Sequence, residues 1–361
     1  MLRKILILSL SLVLLSNCAS VSKTKQQAGL PFSLKFLQEK IIPAKMVFNN
    51  TVVGGLSSID YVNGKYYAIC DAKKTPRYYT LDFSINTSDK VQIKDVTFLQ
   101  VDDEVDPEAL RFDTTDQTVF WTSEGNIRKA VPPAIFKSDT LGNLIEKLPI
   151  PKIFLNTKNL YHNGTFEGLS LSKNKKSLWF NMELPFKSDG TEPTLINGKY
   201  PIRITKVAKK TGKLQKQFAY MLGKIPKDSQ PKGKFRVNGV PEILALGNNH
   251  FLLLERAYAS GYKNGGNTVR IYYVDSKDAT DISKISSLKN TSFTPAKKIL
   301  LFDFETIRNQ LTNGIVDNIE GITFGPKLSN GNRTLILISD DNFVQFSKQL
   351  QQIIIFEVVE N

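Results

Sequence analysis

The sequence predicts an all-β protein built as a single β-propeller, and two observations lead to this fold class. A two-strand unit recurs along the chain, and nearly every copy begins with Glu and ends with an acidic residue. Two further strand-like runs follow most copies, which gives each unit the four antiparallel strands of a propeller blade. We expect five blades. Six blades are the alternative, because the longer spacings between copies could contain a degenerate blade.

The recurring unit is a short apolar strand, a turn rich in Asn, Asp, Gly or Lys, and a second apolar strand, which is the pattern of a β-hairpin. The four full copies begin at Glu108, Glu167, Glu242 and Glu320. A fifth copy begins at Gly54 and lacks the first Glu. The second strands end at Glu124, Glu183, Glu255, Asp340 or Asp341, and Asp71.

The chain ends predict how the ring closes. The last copy is followed by only one more strand, Gln352 to Val359. We expect the run from Phe32 to Phe48 to supply the missing strand of this blade, which would close the ring and remove two open sheet edges. The predicted propeller domain therefore covers residues 31–361, with one short helix at Phe304 to Leu311.

The first residues have the pattern of a bacterial lipoprotein signal. Arg3 and Lys4 precede the apolar run Ile5 to Leu15, which is too short for a stable membrane span. The following Leu-Ser-Asn-Cys18 resembles a lipobox, although Asn17 replaces the usual Gly or Ala. We expect a signal peptide over 1–17, lipidation at Cys18 and a polar tether over 18–30. An ordinary signal peptide with a chance Cys is the alternative.

These features predict an exported protein of the bacterial cell envelope, anchored to a membrane by its lipid, with the outer membrane as the expected location. The net charge of +14 favours anionic partners, although a solvated Lys-rich surface without a ligand is the alternative. No basic helix, Arg-rich run or aromatic RNA-binding signature is present, which excludes nucleic acid as an expected partner. We expect a monomer that binds a phosphorylated or other anionic small molecule and touches the membrane only through its anchor.

The recurrent acids are the candidate functional residues. The two ends of a hairpin are neighbours, and the innermost strand of each blade lines the channel, so the acids should meet at one channel mouth. Each close pair at ~5 Å would cost about 3 kcal/mol at an effective dielectric of ~20. Bound Ca²⁺ would offset this repulsion, and backbone N–H donors from the next blade are the structural alternative. The predicted metal ligands are Glu108, Glu167, Glu242, Glu320, Glu124, Glu183, Glu255, Asp341 and Asp71.

The recurring Glu-Gly-Leu start and the closing Ile338-Ser339-Asp340-Asp341-Asn342 resemble the phytase-like family labelled esterase-like activity of phytase. The resemblance runs from about Gly54 to Val359. It implies an exported propeller with a phosphoester-hydrolysing role. By analogy with calcium-dependent propeller phytases, the acids would bind Ca²⁺ and the metal would bind phosphate. The missing Glu at Gly54 departs from the repeat.

The first functional hypothesis is a metal-dependent phosphoester hydrolase with a ring Glu as general base, for which Glu167 and Glu242 are the candidates. Arg256, Lys73 and Arg128 follow the second acids and are the predicted phosphate-binding cations, Arg256 first because a guanidinium can bind phosphate bidentately. A non-catalytic binding propeller and a scaffold for an outer-membrane assembly are the other hypotheses. No Gly-x-Ser-x-Gly motif supports a serine esterase, and two histidines make zinc a poor choice.

Overall fold

The structure is a computed structural model that describes residues 29–344 and 349–361. It is 49% strand and 7% helix, and five small sheets form a ring. The predicted propeller of five blades is therefore confirmed. The predicted signal peptide and Cys18 lie outside the described residues, as does most of the tether. Within the described part of the chain, no helix is long and apolar enough to cross a membrane.

The chain begins with β1 (Phe32–Ile42) and a small hairpin formed by β2 (Val47–Phe48) and β3 (Thr51–Val52). Blade 1 consists of β4 (Leu56–Val62), β5 (Lys65–Cys70), β6 (Arg77–Asp82) and β7 (Gln92–Phe98). Blade 2 consists of β8 (Pro107–Asp113), β9 (Thr118–Ser123), β10 (Ala134–Asp139) and β11 (Leu144–Lys147). Blade 3 consists of β12 (Phe166–Leu171), β13 (Ser177–Met182), β14 (Tyr200–Ala208) and β15 (Leu214–Leu222).

Blade 4 has an additional strand that the sequence did not indicate. It contains β16 (Arg236–Gly239), β17 (Ile243–Gly247), β18 (His250–Ala259), β19 (Asn267–Asp275) and β20 (Lys297–Asp303). β16 and β17 pair with different parts of the long strand β18. Blade 5 contains β21 (Asn318–Lys327), β22 (Arg333–Asp340) and β23 (Gln351–Glu360). The predicted short helix is a 3-10 helix, Phe304–Gln310, and the other 3-10 segments are Ile127–Lys129, Lys152–Leu155, Thr157–Asn159, Thr312–Gly314 and Asn342–Val344.

The N-terminal strand closes the ring as predicted. β1 is the outer strand of blade 5 and pairs antiparallel with β23, from Phe32 opposite Glu360 to Ile42 opposite Gln351. The closing strand is shorter than the predicted run to Phe48, because the chain turns at Pro43, whose carbonyl accepts a hydrogen bond from the Met46 N–H at 3.2 Å. Proline has no N–H to donate to the ladder, so a strand does not continue through it.

The blades are held together by apolar side chains that alternate along the strands and interdigitate between neighbouring sheets. Phe154, Phe166 and Phe180 are fully buried, with ring centroids 4.5 to 5.4 Å apart. Each large buried ring removes about 150–250 Å² from water, so packing of this kind supplies most of the stability of the ring. This rigid scaffold fixes the inner strands β4, β8, β12, β17 and β21, whose ends carry the acidic residues.

Candidate functional site

Irregular strand pairing changes the side-chain direction of the first glutamate in the hairpins of blades 2, 3 and 5. We call these residues, Glu108, Glu167 and Glu320, the ring glutamates. Strand pairing shifts register between Pro107 and Leu110 in blade 2, between Phe166 and Leu169 in blade 3, and between Ile319 and Gly321 in blade 5. A bulge of this kind turns a side chain out of the ordinary alternation. Glu108, Glu167 and Glu320 lie within these shifts.

Close packing between blades requires glycine after two of the ring glutamates, at Gly168 and Gly321. A Cβ on Gly168 would lie 2.6 Å from the Ile243 backbone nitrogen, and a Cβ on Gly321 would lie 2.8 Å from the Ile59 backbone nitrogen. Both contacts are with the inner strand of the next blade, so only glycine permits this approach. The recurring Glu-Gly pair therefore combines a carboxylate with a close contact between blades.

A compact group of carboxylates lies at the blade 2 side of the channel mouth. Ligand oxygens of Asp106, Glu108 and Glu124 all lie within 4.8 Å of one another. Glu124 Oε1 accepts hydrogen bonds from the backbone N–H groups of Gly164 at 2.6 Å and Thr165 at 2.7 Å. Within the described residues, no hydrogen-bond donor reaches the Glu108 carboxylate, while Asp106 pairs with Lys73. We call Asp106, Glu108 and Glu124 the carboxylate triad.

Burial and mutual repulsion raise the pKa values of these carboxyl groups. Burial, followed by the charge of Glu183, raises the pKa of Glu124 to about 7. Burial, followed by the charges of Glu167 and Asp106, raises the pKa of Glu108 well above its usual value. The pKa of Glu167 is raised in the same way by burial and by Glu124 and Glu183. Without a cation, protons must neutralise part of this group.

The opposite side of the mouth contains a buried ion network. Arg256 Nη2 lies 2.9 Å from Glu320 Oε1 and 3.4 Å from Glu183 Oε1. Burial raises the pKa of Glu320 to about 7, although Arg256 lowers it in part. Burial, followed by the charge of Glu320, raises the pKa of Asp340 well above its usual value. The predicted acids of blades 3 and 5 therefore share one guanidinium.

The two predicted acids of blade 4 do not join the mouth. Glu242 is fully buried, and its carboxylate accepts from Ser58 Oγ at 2.6 Å and the Leu169 N–H at 2.9 Å. Its Oε2 also lies 2.9 Å from Arg111 Nη2. Glu242 therefore has the inter-blade locking contacts that the sequence left open as the alternative to metal binding.

Glu255 faces the outer part of blade 4. Its Oε1 lies 2.5 Å from Lys298 Nζ and accepts a hydrogen bond from the Tyr220 hydroxyl at 2.5 Å. Side chains alternate between the two faces of a sheet, so Arg256 lies on the opposite face of β18 from Glu255, where it reaches Glu320 of blade 5. The pairing of β18 with its neighbours decides which of the two residues faces the mouth, and the sequence repeat does not show this pairing.

In blade 1 the ring position belongs to Ser57 rather than Gly54. Leu56 pairs with Cys70, and the register shifts before Ser58, as it shifts around the ring glutamates of the other blades. The Ser57 hydroxyl is buried and has no hydrogen-bond partner among the described residues. Gly54 and Gly55 instead lie against Asp341, whose Oδ1 accepts the Gly55 N–H at 2.9 Å. Asp341 thus makes another lock between blades, while Asp71 Oδ1 is buried without a partner among the described residues.

Basic residues lie close in the chain to the carboxylate triad and its donors. Lys73 pairs with Asp106, Arg128 follows Glu124 in the next loop, and His162 comes shortly before Gly164. Burial and then the positive charges of Arg128 and Lys73 lower the pKa of His162, which favours its neutral form. Arg128 is exposed in the 3-10 segment Ile127–Lys129. The sequence indicated Lys73 and Arg128, but His162 had no motif to mark it. Only its position in the chain, just before the Gly164 and Thr165 N–H groups that donate to Glu124, could have indicated His162 as a residue of the site.

The mouth fits a hard divalent cation by its donors. The carboxylate triad offers oxygen ligands only, which is the ligand type that Ca²⁺ prefers. Asp71 Oδ1 is buried and has no protein donor among the described residues, and the half-buried Glu108 carboxylate receives no hydrogen bond there. Unpaired buried carboxylates cost several kcal/mol each unless a proton or cation neutralises them. The residues present are therefore suited to an ion such as Ca²⁺.

Comparison with solved structures gives distant similarities only. The catalytic domain of the Coprinopsis cinerea GH62 α-L-arabinofuranosidase has 11% identity and a TM-score of 0.44, over 91% of this chain and 96% of that one. An α-L-arabinofuranosidase from Lactobacillus brevis has 11% identity and a TM-score of 0.44, over 84% and 91%. XC5397 from Xanthomonas campestris, a gluconolactonase, has 9% identity and a TM-score of 0.35, over 82% and 69%. These similarities are too distant to assign an activity to this chain.

Comparison at the level of sequence families is more informative. No curated protein matches the chain. The model of the phytase-like family, described as esterase-like activity of phytase, matches residues 51–343. This range runs from β3 to the 3-10 segment after β22 and includes every acidic residue of the channel mouth. The chain therefore belongs to the phytase-like family.

Proposed function

We propose that this protein is a calcium-dependent phosphoester hydrolase that acts at the acidic channel mouth. The observation that carries the proposal is the carboxylate triad, whose ligand oxygens lie within 4.8 Å of one another, with Lys73 paired to Asp106 and Arg128 in the loop that follows Glu124. Hard oxygen ligands next to fixed cations are the combination that phosphate chemistry needs, because the metal and the cations bind the same anion. Membership of the phytase-like family supports this choice of substrate class.

Asp106, Glu108 and Glu124 would hold Ca²⁺, with Asp71 as a further oxygen donor on the blade 1 side. When bound, the ion supplies positive charge that neutralises phosphate oxygens and increases the acidity of nearby water. The chain itself fixes one of these ligands, because the Gly164 and Thr165 N–H groups hold Glu124.

Glu167 is the proposed general acid and base. Burial and the charges of Glu124 and Glu183 raise its pKa well above the usual value, which favours the protonated carboxyl group. A group with such a pKa can take a proton from water and give one to a departing oxygen. Glu242, the second sequence candidate, is held by Arg111, Ser58 and the Leu169 N–H, and we leave it out of the reaction.

Lys73 and Arg128 are the proposed phosphate contacts. Arg128 is exposed at the rim, and Lys73 is about half exposed while its amine pairs with Asp106. His162 is close enough to both for their charges to lower its pKa, so it is a further candidate contact. Arg256 already pairs with Glu183 and Glu320, so we do not place it among the phosphate contacts.

The decisive assay measures phosphate release from a panel of phosphomonoesters and phosphodiesters, with Ca²⁺ and with chelator. We expect release only with Ca²⁺. Glu108→Gln should lower the rate by roughly 100-fold or more, because it removes a ligand charge that no protein donor compensates. Glu360→Gln, which changes an exposed residue at the end of β23, is the matched control and should keep the full rate. Release in chelator, or equal rates for the two variants, would remove the proposed mechanism.

One observation favours the alternative of a non-catalytic binding or scaffold propeller. Arg111 and Glu242 meet at 2.9 Å beside Ser58, and both side chains are buried among the inner strands of the blades. A shallow mouth can bind an anionic ligand without converting it. Binding of inorganic phosphate in Ca²⁺ without release from any substrate would favour this alternative.

The proposed setting is the bacterial cell envelope, with a lipid on Cys18 as the membrane anchor and the outer membrane as the location. The support is the sequence pattern of 1–17 and the polar stretch that follows it. The proposed partner is a phosphorylated small molecule bound by a monomer, with no role for nucleic acid.

A further inference from the structure

Arg256 occupies the place in blade 4 where the other blades have a carboxylate. In blades 1, 2, 3 and 5, the residue before the ring position pairs with a residue near the end of the second strand. The residue that follows that partner in the chain is an acid. These four acids are Asp71, Glu124, Glu183 and Asp340. In blade 4, Glu255 turns outward to Lys298, and Arg256 faces the mouth instead.

The guanidinium of Arg256 is surrounded by carboxylates of the adjacent blades. It lies 3.4 Å from Glu183 of blade 3 and 2.9 Å from Glu320 of blade 5. The charges of Glu167 and Asp340 also act on it. Carboxylates from both sides thus converge on one cation, which is the arrangement that a bound metal ion would have.

The two halves of the mouth are neutralised differently. On the blade 4 side, a positive charge attached to the chain lies among the acids, and its side chain is only 13% exposed. On the side of blades 1 and 2, the paired cation is Lys73, which reaches in from the rim and is 55% exposed. An exposed amine is displaced by a divalent ion more easily than a buried guanidinium held by two carboxylates.

We infer that Arg256 is a built-in cation that takes the place of a metal ion on the blade 4 side and confines metal binding to the carboxylate triad side. This inference rests on the proposed function, because it assigns the location of the same metal site. It gives Arg256 a positioning role that is distinct from contact with substrate. Its consequence is that removal of the guanidinium should create a second cation site between Glu183 and Glu320.

The test counts Ca²⁺ ions bound by Arg256→Gln and by the parent protein, using isothermal titration calorimetry and equilibrium dialysis. We expect the variant to bind one more ion than the parent. Arg256→Lys keeps a positive charge and should bind the parent number. Arg270→Gln is the matched control, because it removes an arginine whose Nε lies 2.8 Å from Asp303 in the outer strands of the same blade. It lowers the net charge equally and should not change the number of ions.

The outcomes separate this inference from the proposed function. If the parent binds no Ca²⁺ and Arg256→Gln binds one, the proposed calcium site fails, and Arg256 still occupies the place of a cation on the blade 4 side. An unchanged count in Arg256→Gln overturns the inference, whatever the parent binds. If Arg256→Gln is unfolded in chelator, recovery of a cooperative melt on addition of Ca²⁺ supports the inference. Failure of Ca²⁺ to restore that melt overturns it.

Discussion

The stability of the folded protein in chelator should fall as pH rises from 5 to 8. The perturbation acts on Glu124 and Glu320, whose pKa values are raised from 4.5 to about 7, first by burial. A carboxyl group with a raised pKa binds more protons in the folded state than in the unfolded state. Its contribution to stability is therefore complete below pH 4.5 and is lost as pH rises through about 7.

The magnitude follows from the two pKa values. Between pH 5 and pH 8, each carboxyl group loses about 2.5 kcal/mol of its contribution to the free energy of unfolding. The two groups share the charge of Glu183, so their joint effect lies between about 2.5 and 5 kcal/mol. With an unfolding entropy of about 2.1 cal/mol/K per residue, the melting temperature of a domain of this length should fall by roughly 4 to 7 °C.

Calcium should weaken this dependence, because it binds the charged carboxylates and so offsets the loss at high pH. At a free concentration a hundredfold above Kd it adds about 2.7 kcal/mol, and this gain should grow as pH rises. The assay is differential scanning calorimetry from pH 5 to 8, in chelator and in Ca²⁺. The double variant Glu124→Gln/Glu320→Gln should reduce the pH dependence, and Glu108, Glu167 and Asp340, whose pKa values are also raised, should account for the remainder. Glu360→Gln should keep the full dependence. A melting temperature in chelator that stays constant or rises over this range would refute the reasoning.

Three further predictions concern the fold and the anchor. Deleting residues up to about 50 should cause aggregation, because it removes β1 and exposes an edge of β23, and a monomeric truncation with the parent melting temperature would refute the closure argument. Glu242→Gln should destabilise the protein by about 3–5 kcal/mol equally with and without Ca²⁺, because it leaves the buried charge of Arg111 unpaired. Glu108→Gln, which removes a proposed ligand, should instead weaken the stabilisation by Ca²⁺ in thermal melts. Cys18→Ala should release the protein from the membrane fraction, and unchanged partitioning would reject the lipobox.

Blade number and ring closure could be predicted from the sequence because they depend on strand patterns that repeat. The alternation of apolar residues marks each hairpin, and a missing strand at one end of the chain must be supplied by the other end. β16 could not be predicted, since Arg236–Gly239 is too short and polar to read as a strand. It forms because β18 extends past the end of β17 and offers a free edge.

The candidate site could be predicted only where the repeat and the local register agree. Glu108, Glu167 and Glu320 lie at hairpin irregularities and take the expected place. Glu242 has the same sequence context, but its side chain is directed to Arg111. A shift of one residue moves a side chain to the other face of a strand, and no pattern in a single sequence reports such a shift.

The pairing of β1 with β23 sets a condition on how the protein can be made. Phe32 pairs with Glu360, so the first strand to be synthesised waits for the last before it finds a partner. Closing a loop of this length costs about 5 kcal/mol of chain entropy by the logarithmic relation, before any contact compensates it. Blade 5 therefore cannot be completed before β23 has been synthesised, and contacts of such high sequence separation slow folding. Until then one edge of β1 has no partner strand, so the last step of folding is the closure of the ring.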